Sequence, residues 1–161
     1  MAVYFFDSSA LVKRYLSETG STWVEQVTDP KSGNKIYIAS ITGVELVSAL
    51  MKSVRSTQSP LPLIDAKRAI ADFRNDFDNQ YELFGVTDSL VRRAMELPEK
   101  HKLRGYDAVQ LAAALTIHAL SAQLGIAATG VAPLVMVACD DELLHSAQSE
   151  GLATEDPRAH P

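Results

Sequence analysis

The sequence predicts an α/β fold in which a central parallel sheet is covered by helices on both faces. Two observations carry this. Four short apolar runs, VYFF (3–6), IYIAS (36–40), YELFGV (81–86) and LVMVA (134–138), are bounded by turn or capping residues, as buried strands are. Between them lie longer stretches with helical spacing of apolar residues, and strands separated by helices pair in parallel. The expected sheet has about four to five strands between two helical layers.

Taken in order, the first strand runs into a helix over about 8–17 that ends near Gly20. STWVEQV suits a short helix capped by Ser21 or Thr22. Pro30, Gly33 and Asn34 mark 29–35 as a turn before the second strand. TGVELVSALMKSV (42–54) reads as a helix, and RSTQSPLP (55–62) as a polar connector. Ile64, Ala66, Ile70, Phe73 and Phe77 place a helix over about 63–79. The third strand follows, then a helix from an N-cap at Thr87 to about Lys100 and a long Ala/Leu helix over about 105–123. After the fourth strand, a helix from about Asp140 to Glu150 is closed by Gly151, and TEDPRAHP reads as a frayed tail. The expected organisation is one domain, 1–154, with a flexible tail, 155–161.

At 161 residues and 47% hydrophobic content the chain can bury a core without staples. Its single cysteine, Cys139, leaves no intramolecular disulfide and fits a reducing cytoplasm, and no secretory leader precedes the first strand. No Asp, Glu, Lys or Arg occurs between Asp107 and Asp140, yet Gln110, Thr116, His118, Ser121 and Gln123, then Gly125, Gly130 and Pro133, interrupt that stretch. It reads as a buried helix, a loop and a buried strand, with no membrane span. A net charge of −5 argues against a general nucleic-acid-coating protein, but not against a nuclease whose acids hold metal.

In a parallel sheet, ligands bind beyond the carboxyl ends of the strands. Asp7 directly follows the first strand, Glu45 lies in the helix after the second, and Asp140 and Asp141 follow the fourth. Asp107 continues an inward stripe with Leu111 and Leu115 and joins the others if its helix starts at that edge. Each acid also has a structural explanation. Asp7 and Asp140 suit N-caps, Thr42 and Glu45 have capping-box spacing, and Asp107 offsets a helix dipole. Four carboxylates at one edge nevertheless repel one another, and a hard divalent cation such as Mg²⁺ or Mn²⁺ relieves that. Other chemistries find little support. The histidines at 101, 118, 145 and 160 show no paired ligand spacing, Cys139 has no basic neighbour, and no phosphate-binding glycine loop or G-x-S-x-G motif occurs.

These segments resemble the PIN domain, specifically the VapC-type toxin ribonucleases of type II toxin–antitoxin pairs. YFFDSSALVKRYL is similar to the family's first motif, with Asp7 and, two positions on, Ser9. ASITGVELVSAL carries Glu45, LRGYDAVQLAAAL carries Asp107, and VACDDELLHSAQSEGL carries Asp140, selected over Asp141 by D-x-x-L spacing. Two departures stand out. Ala138 occupies a position that is often Ser or Thr, where it weakens ordering of a second ion, and the 55–80 segment exceeds that of compact members.

The resemblance implies a three-layer PIN-like fold and a metal-dependent endoribonuclease that cleaves tRNA, rRNA or mRNA. Asp7, Glu45, Asp107 and Asp140 would be both catalytic residues and Mg²⁺ ligands, with Mn²⁺ able to substitute. The ion would activate a water for in-line attack on the phosphodiester. Ser9 and Asp141 would orient these ligands from behind, and Lys13, Arg14 and Arg104 would contact RNA phosphates. A homodimer and a small antitoxin partner are implied too, with Leu11, Tyr15, Leu16 and Trp23 as candidates for the antitoxin groove. Three alternatives remain at this level: a PIN-type nuclease of RNA processing or decay without an antitoxin, a catalytically silent PIN-fold binding module, and a metal-dependent phosphatase using Asp7. The last would need an acid where Ser9 stands.

Overall fold

In the computed structural model, which describes residues 1–123 and 133–160, the chain forms five parallel strands and seven α-helices. The strands are β1 (Val3–Phe6), β2 (Lys35–Ala39), β3 (Glu82–Phe84), β4 (Leu134–Val137) and β5 (Ala153–Glu155), in the order β3-β2-β1-β4-β5. Register is set by Tyr4 opposite Ile36 in β2 and Val135 in β4. The chain runs outward from β1 through β2 to β3, then crosses back and leaves through β4 to β5. The reversal lies between β1 and β4, where a ligand crevice opens in folds of this kind.

The helices are α1 (Ser8–Leu11), α2 (Ser21–Thr28), α3 (Thr42–Val54), α4 (Leu63–Asn79), α5 (Asp88–Glu96), α6 (Gly105–Gln123) and α7 (Asp141–Ser149). The strand period of two sorts side chains between two cores. Val3, Phe5, Leu134, Met136 and Ala138 pack with α5, α6 and α7. Phe6, Ile36, Ile38 and Val137 pack with α1 to α4, through Leu11, Val24, Leu46, Leu50 and Phe73. This is the expected α/β/α arrangement. Among the described residues no helix is long and apolar enough to cross a membrane.

Several boundaries differ from the sequence reading for local reasons. The first helix tightens into a 3-10 turn over Val12–Arg14. Gly20, not Ser21 or Thr22, precedes α2, while the Ser21 hydroxyl accepts from the Glu18 amide and donates to the Leu16 carbonyl. Thr87 does cap α5, accepting from the Leu90 amide, but α5 stops at Glu96 rather than Lys100. The loop expected around Gly125 and Gly130 lies outside the described residues.

The C-terminus needs the largest correction. The expected frayed tail instead supplies β5, which covers the outer edge of β4 and spares it unpaired backbone groups. A 3-10 turn over Pro157–Ala159 then packs on α2, with Pro157 buried and His160 stacked on Trp23 at 4.6 Å between centroids. Close approach here depends on Gly20, whose φ is +90° and where an added Cβ would collide with the Pro157 carbonyl oxygen. Gly20→Ala is therefore expected to destabilise the fold by more than about 1 kcal/mol, read as a lower urea midpoint with an unchanged slope.

Candidate metal centre

All five strands share one carboxyl edge, and that edge places the acids. Asp7 leaves β1 with its amide donating to the Val137 carbonyl at 2.9 Å, which fixes it against the end of β4. Its side chain caps α1 by accepting from the Ser9 amide at 2.9 Å, and it also accepts from the Ser9 hydroxyl at 2.5 Å. That hydroxyl in turn accepts from the Cys139 amide at 2.9 Å. Ser9 thus ties the ends of β1 and β4 together while orienting Asp7.

Asp140 caps α7, its Oδ1 accepting from the Leu143 amide at 3.0 Å. For Asp7 and Asp140 the capping role and the place at the site therefore coincide. Glu45 is different. The residue before α3 is Ile41, which makes no side-chain cap, and the buried Thr42 hydroxyl is paired with Gln110. The capping-box explanation fails.

What holds Glu45 is Gln110, a residue the sequence reading missed. Its Nε2 donates to Glu45 Oε2 at 2.7 Å and to Thr42 Oγ1 at 2.9 Å, joining α6 to α3. The signal was present: Gln110 is a polar residue one turn after Asp107 in an otherwise apolar stretch, and a buried amide needs partners. Gln110→Leu is expected to lower Mn²⁺ affinity by roughly 10–100-fold, the usual effect of losing a group that orients a ligand. Calorimetric titration of the folded variant would measure it.

Three of the four acids sense their neighbours. Burial raises the Asp7 pKa above its ordinary value, Asp140 adds to this, and the Ser9 and Ser8 bonds partly oppose it. Glu45 is raised by burial and then by Asp7 and Asp107, and Asp107 by burial and then by Asp7 and Asp140. Among the described residues none of these four is in an ion pair; the exposed Arg104 acts on Asp107 without pairing with it. Among the described residues no three acids, histidines or cysteines converge tightly enough to cage an ion as they stand. The donor chemistry does fit one: every available ligand is a carboxylate oxygen, which suits Mg²⁺ or Mn²⁺.

Other expected site residues lie elsewhere. Asp141 is exposed and pairs with Arg158 at 2.5 Å, so it does not support the acids from behind. Lys13 is buried and pairs with Glu18 at 3.0 Å. Arg14 donates to Asp76 at 2.9 Å and to Thr28 at 2.8 Å, inside a network that includes Tyr15 and Tyr81. Neither cation faces outward as a phosphate contact would require. Arg104 is exposed, and its charge favours the ionised form of Asp107. The Cys139 thiol, pushed up to about 11 mainly by burial, is unsuited to nucleophilic work.

The residues named for an antitoxin groove, Leu11, Tyr15, Leu16 and Trp23, belong to or pack against the α1–α4 core, the simpler of their two readings. Leu11 is core, Tyr15 is in the Arg14 network, and His160 covers Trp23. An open apolar groove of about 630 Å³ lies between α3 and α4, lined by Val44, Val47, Met51, Phe73 and Phe77 with Arg55 and Arg74 beside them.

Comparison with known proteins gives two positive findings. A family model described as PIN domain matches residues 4–123. Among solved structures, the chain resembles the crystal structure of VapBC2 from Rickettsia felis bound to a DNA fragment from their promoter. The TM-score is 0.56 at 14% identity, covering 96% of this chain and 98% of the other. No curated protein matches the sequence.

Proposed function

The chain belongs to the PIN-domain family, and from this premise we propose that it is a metal-dependent endoribonuclease acting in the cytoplasm as the toxin of a toxin–antitoxin pair. One observation carries the reading: Asp7, Glu45, Asp107 and Asp140 come from four separate segments to one sheet edge, where burial and neighbouring carboxylates raise the pKa of Asp7, Glu45 and Asp107, and none of the four is in an ion pair among the described residues. Four buried or half-buried acids outside any ion pair weaken a fold, and a bound cation reverses that cost.

In this reading the four carboxylates hold Mg²⁺, or Mn²⁺ in its place. When bound, such an ion supplies an acidified water nucleophile and positive charge for the scissile phosphate. The chain's own part is positioning. Ser9 fixes Asp7 against the β4 end, and Gln110 turns Glu45 toward the other acids. The helix caps made by Asp7 and Asp140 hold both carboxylates to single orientations, so little ordering is left for substrate binding.

The antitoxin partner rests on the likeness to a VapBC assembly and on the α3–α4 groove, whose apolar floor and flanking arginines suit an amphipathic segment carrying acids. Homodimer formation rests on exposed Val91 and Met95, one turn apart on α5.

The test is direct. Purified protein incubated with tRNA, rRNA and mRNA should produce discrete fragments with Mg²⁺ or Mn²⁺ and none after chelation. Intact RNA under all metal conditions would refute the nuclease reading. A short reading frame next to the gene, encoding a DNA-binding protein that binds this chain and stops cleavage, would separate a toxin from a processing nuclease.

A further inference from the structure

We propose that Arg158, in the 3-10 turn after β5, is a positioning residue for the candidate metal centre: through Asp141 it fixes the start of α7 and with it the neighbouring Asp140. This role rests on the metal-binding reading of the four acids. It adds a control point beyond residues 4–123, the part of the chain that the PIN-domain model matches.

The turn that carries Asp140 is tied at each of its neighbours. Two residues before it, the Ala138 amide donates to the Glu155 carbonyl of β5 at 3.2 Å. One residue before it, the Cys139 amide donates to the Ser9 hydroxyl that also holds Asp7. One residue after it, Asp141 accepts from Arg158 Nη2 at 2.5 Å. The ties at Ala138 and Asp141 both come from the C-terminal segment. The Asp141 carboxylate is thus turned to Arg158 rather than to the other acids, and what the contact holds is the backbone at the start of α7. Asp140 is joined to that point by one planar peptide unit, so a shift in either residue moves the other.

A lone exposed ion pair contributes little, because ordering two side chains offsets the attraction. Arg158 is ordered before it reaches Asp141. Its Nε donates to both carboxylate oxygens of Asp156, at 3.0 and 2.9 Å, and its Nη2 donates to Asp156 Oδ2 at 2.7 Å. These bonds are the main reason that the Asp156 carboxyl lies below its ordinary pKa. The mount is firm as well. Pro157 is buried against Gly20 at the start of α2, and β5 pairs with β4 through Glu155 opposite Val137. A planar guanidinium can hold Asp156 and Asp141 together, which a lysine ammonium cannot do with the same geometry.

Charge and position require opposite signs. An arginine near a cation site repels the cation, so if Arg158 acted by charge alone its removal would tighten metal binding. If it acts by position, its removal weakens binding even though a repelling charge has gone.

Calorimetric titration of the full chain with Mn²⁺, in the absence of RNA, separates the two. Arg158→Gln should weaken Mn²⁺ binding roughly 2- to 30-fold, the range for a group that acts through its neighbours. Arg158→Lys keeps the charge but loses the fork, and its affinity should fall between those of Arg158→Gln and the wild type. Metal-free melting curves establish that each variant is folded. A folded Arg158→Gln protein that binds Mn²⁺ as tightly as the wild type, or more tightly, would overturn the proposal. Should Arg158→Gln fail to fold, weakened binding by Arg158→Lys supports the role and wild-type binding overturns it. Unfolding of both variants would make this segment a folding element first, and overturns it too. If the wild type binds Mn²⁺ and the variants match it, only the role of Arg158 falls; if the wild type binds none, the metal-centre reading falls with it.

Discussion

Asp7→Asn protein is expected to fold normally, to melt no lower than the parent without metal, and to cleave RNA at least about 10³-fold more slowly, a loss of roughly 4 kcal/mol in transition-state stabilisation. The two halves of this result have different origins. Asp7 is buried, and burial is the main influence on its carboxyl, holding its pKa above the ordinary value. Exchanging it for a neutral amide removes a charge the fold does not favour. Asn is also a good N-cap, so its side-chain oxygen can still accept from the Ser9 amide. Activity falls because a neutral amide oxygen is a poor ligand for a hard cation. Denaturant melts paired with a cleavage time course would read both effects. A variant that unfolds would show Asp7 to be a structural cap first, and one that cuts at the parental rate would remove it from the chemistry.

The second expected result concerns pH and metal together. Asp7, Glu45 and Asp107 all have folded pKa values above their ordinary 3.8 or 4.5. As pH rises past those ordinary values, the unfolded chain loses these protons first and the folded chain keeps more of them. Stability of the metal-free protein therefore falls as pH rises, until the raised folded values are passed. Mn²⁺ should reverse the trend, because it competes with protons for the same oxygens and binds better as they ionise. At a concentration 100 times its dissociation constant, the ion adds about 2.7 kcal/mol. For a domain of this size that raises Tm by roughly 5–10 °C. Thermal scans in chelator and in Mn²⁺ at pH 5 and pH 7.5 should show a larger gain at the higher pH. A gain absent at both, or larger at pH 5, would mean that these acids do not share an ion.

The sheet and the edge where the acids meet were legible because a strand followed by a capping acid is a local pattern. Asp7 and Asp140 each sit immediately after an apolar run, and parallel pairing does the rest. Glu45 was legible in place but not in role. The spacing of Thr42 and Glu45 suits a capping box equally well, and it takes the Ile41 start of α3 and the contact with Gln110, 65 residues away, to set the cap aside. Arg14 and Lys13 misled for a related reason. Their positions after the first motif suggest an outward basic edge, yet a 3-10 turn rather than a continued α-helix directs both inward to Asp76 and Glu18. The last strand was illegible because three residues, Ala-Thr-Glu, lack any apolar alternation. They pair because β4 offers an open edge and Gly151, at φ +89°, turns the chain back toward it.

The stacking of His160 on Trp23 gives the molecule an intrinsic optical reporter. Trp23 is the chain's single tryptophan, so all indole emission comes from the point where the final turn docks on α2. Detachment of that turn would leave the ring in water and shift its emission to the red, while the sheet and its acids stay assembled. Steady-state fluorescence can therefore follow the C-terminal clasp separately from global unfolding measured by circular dichroism.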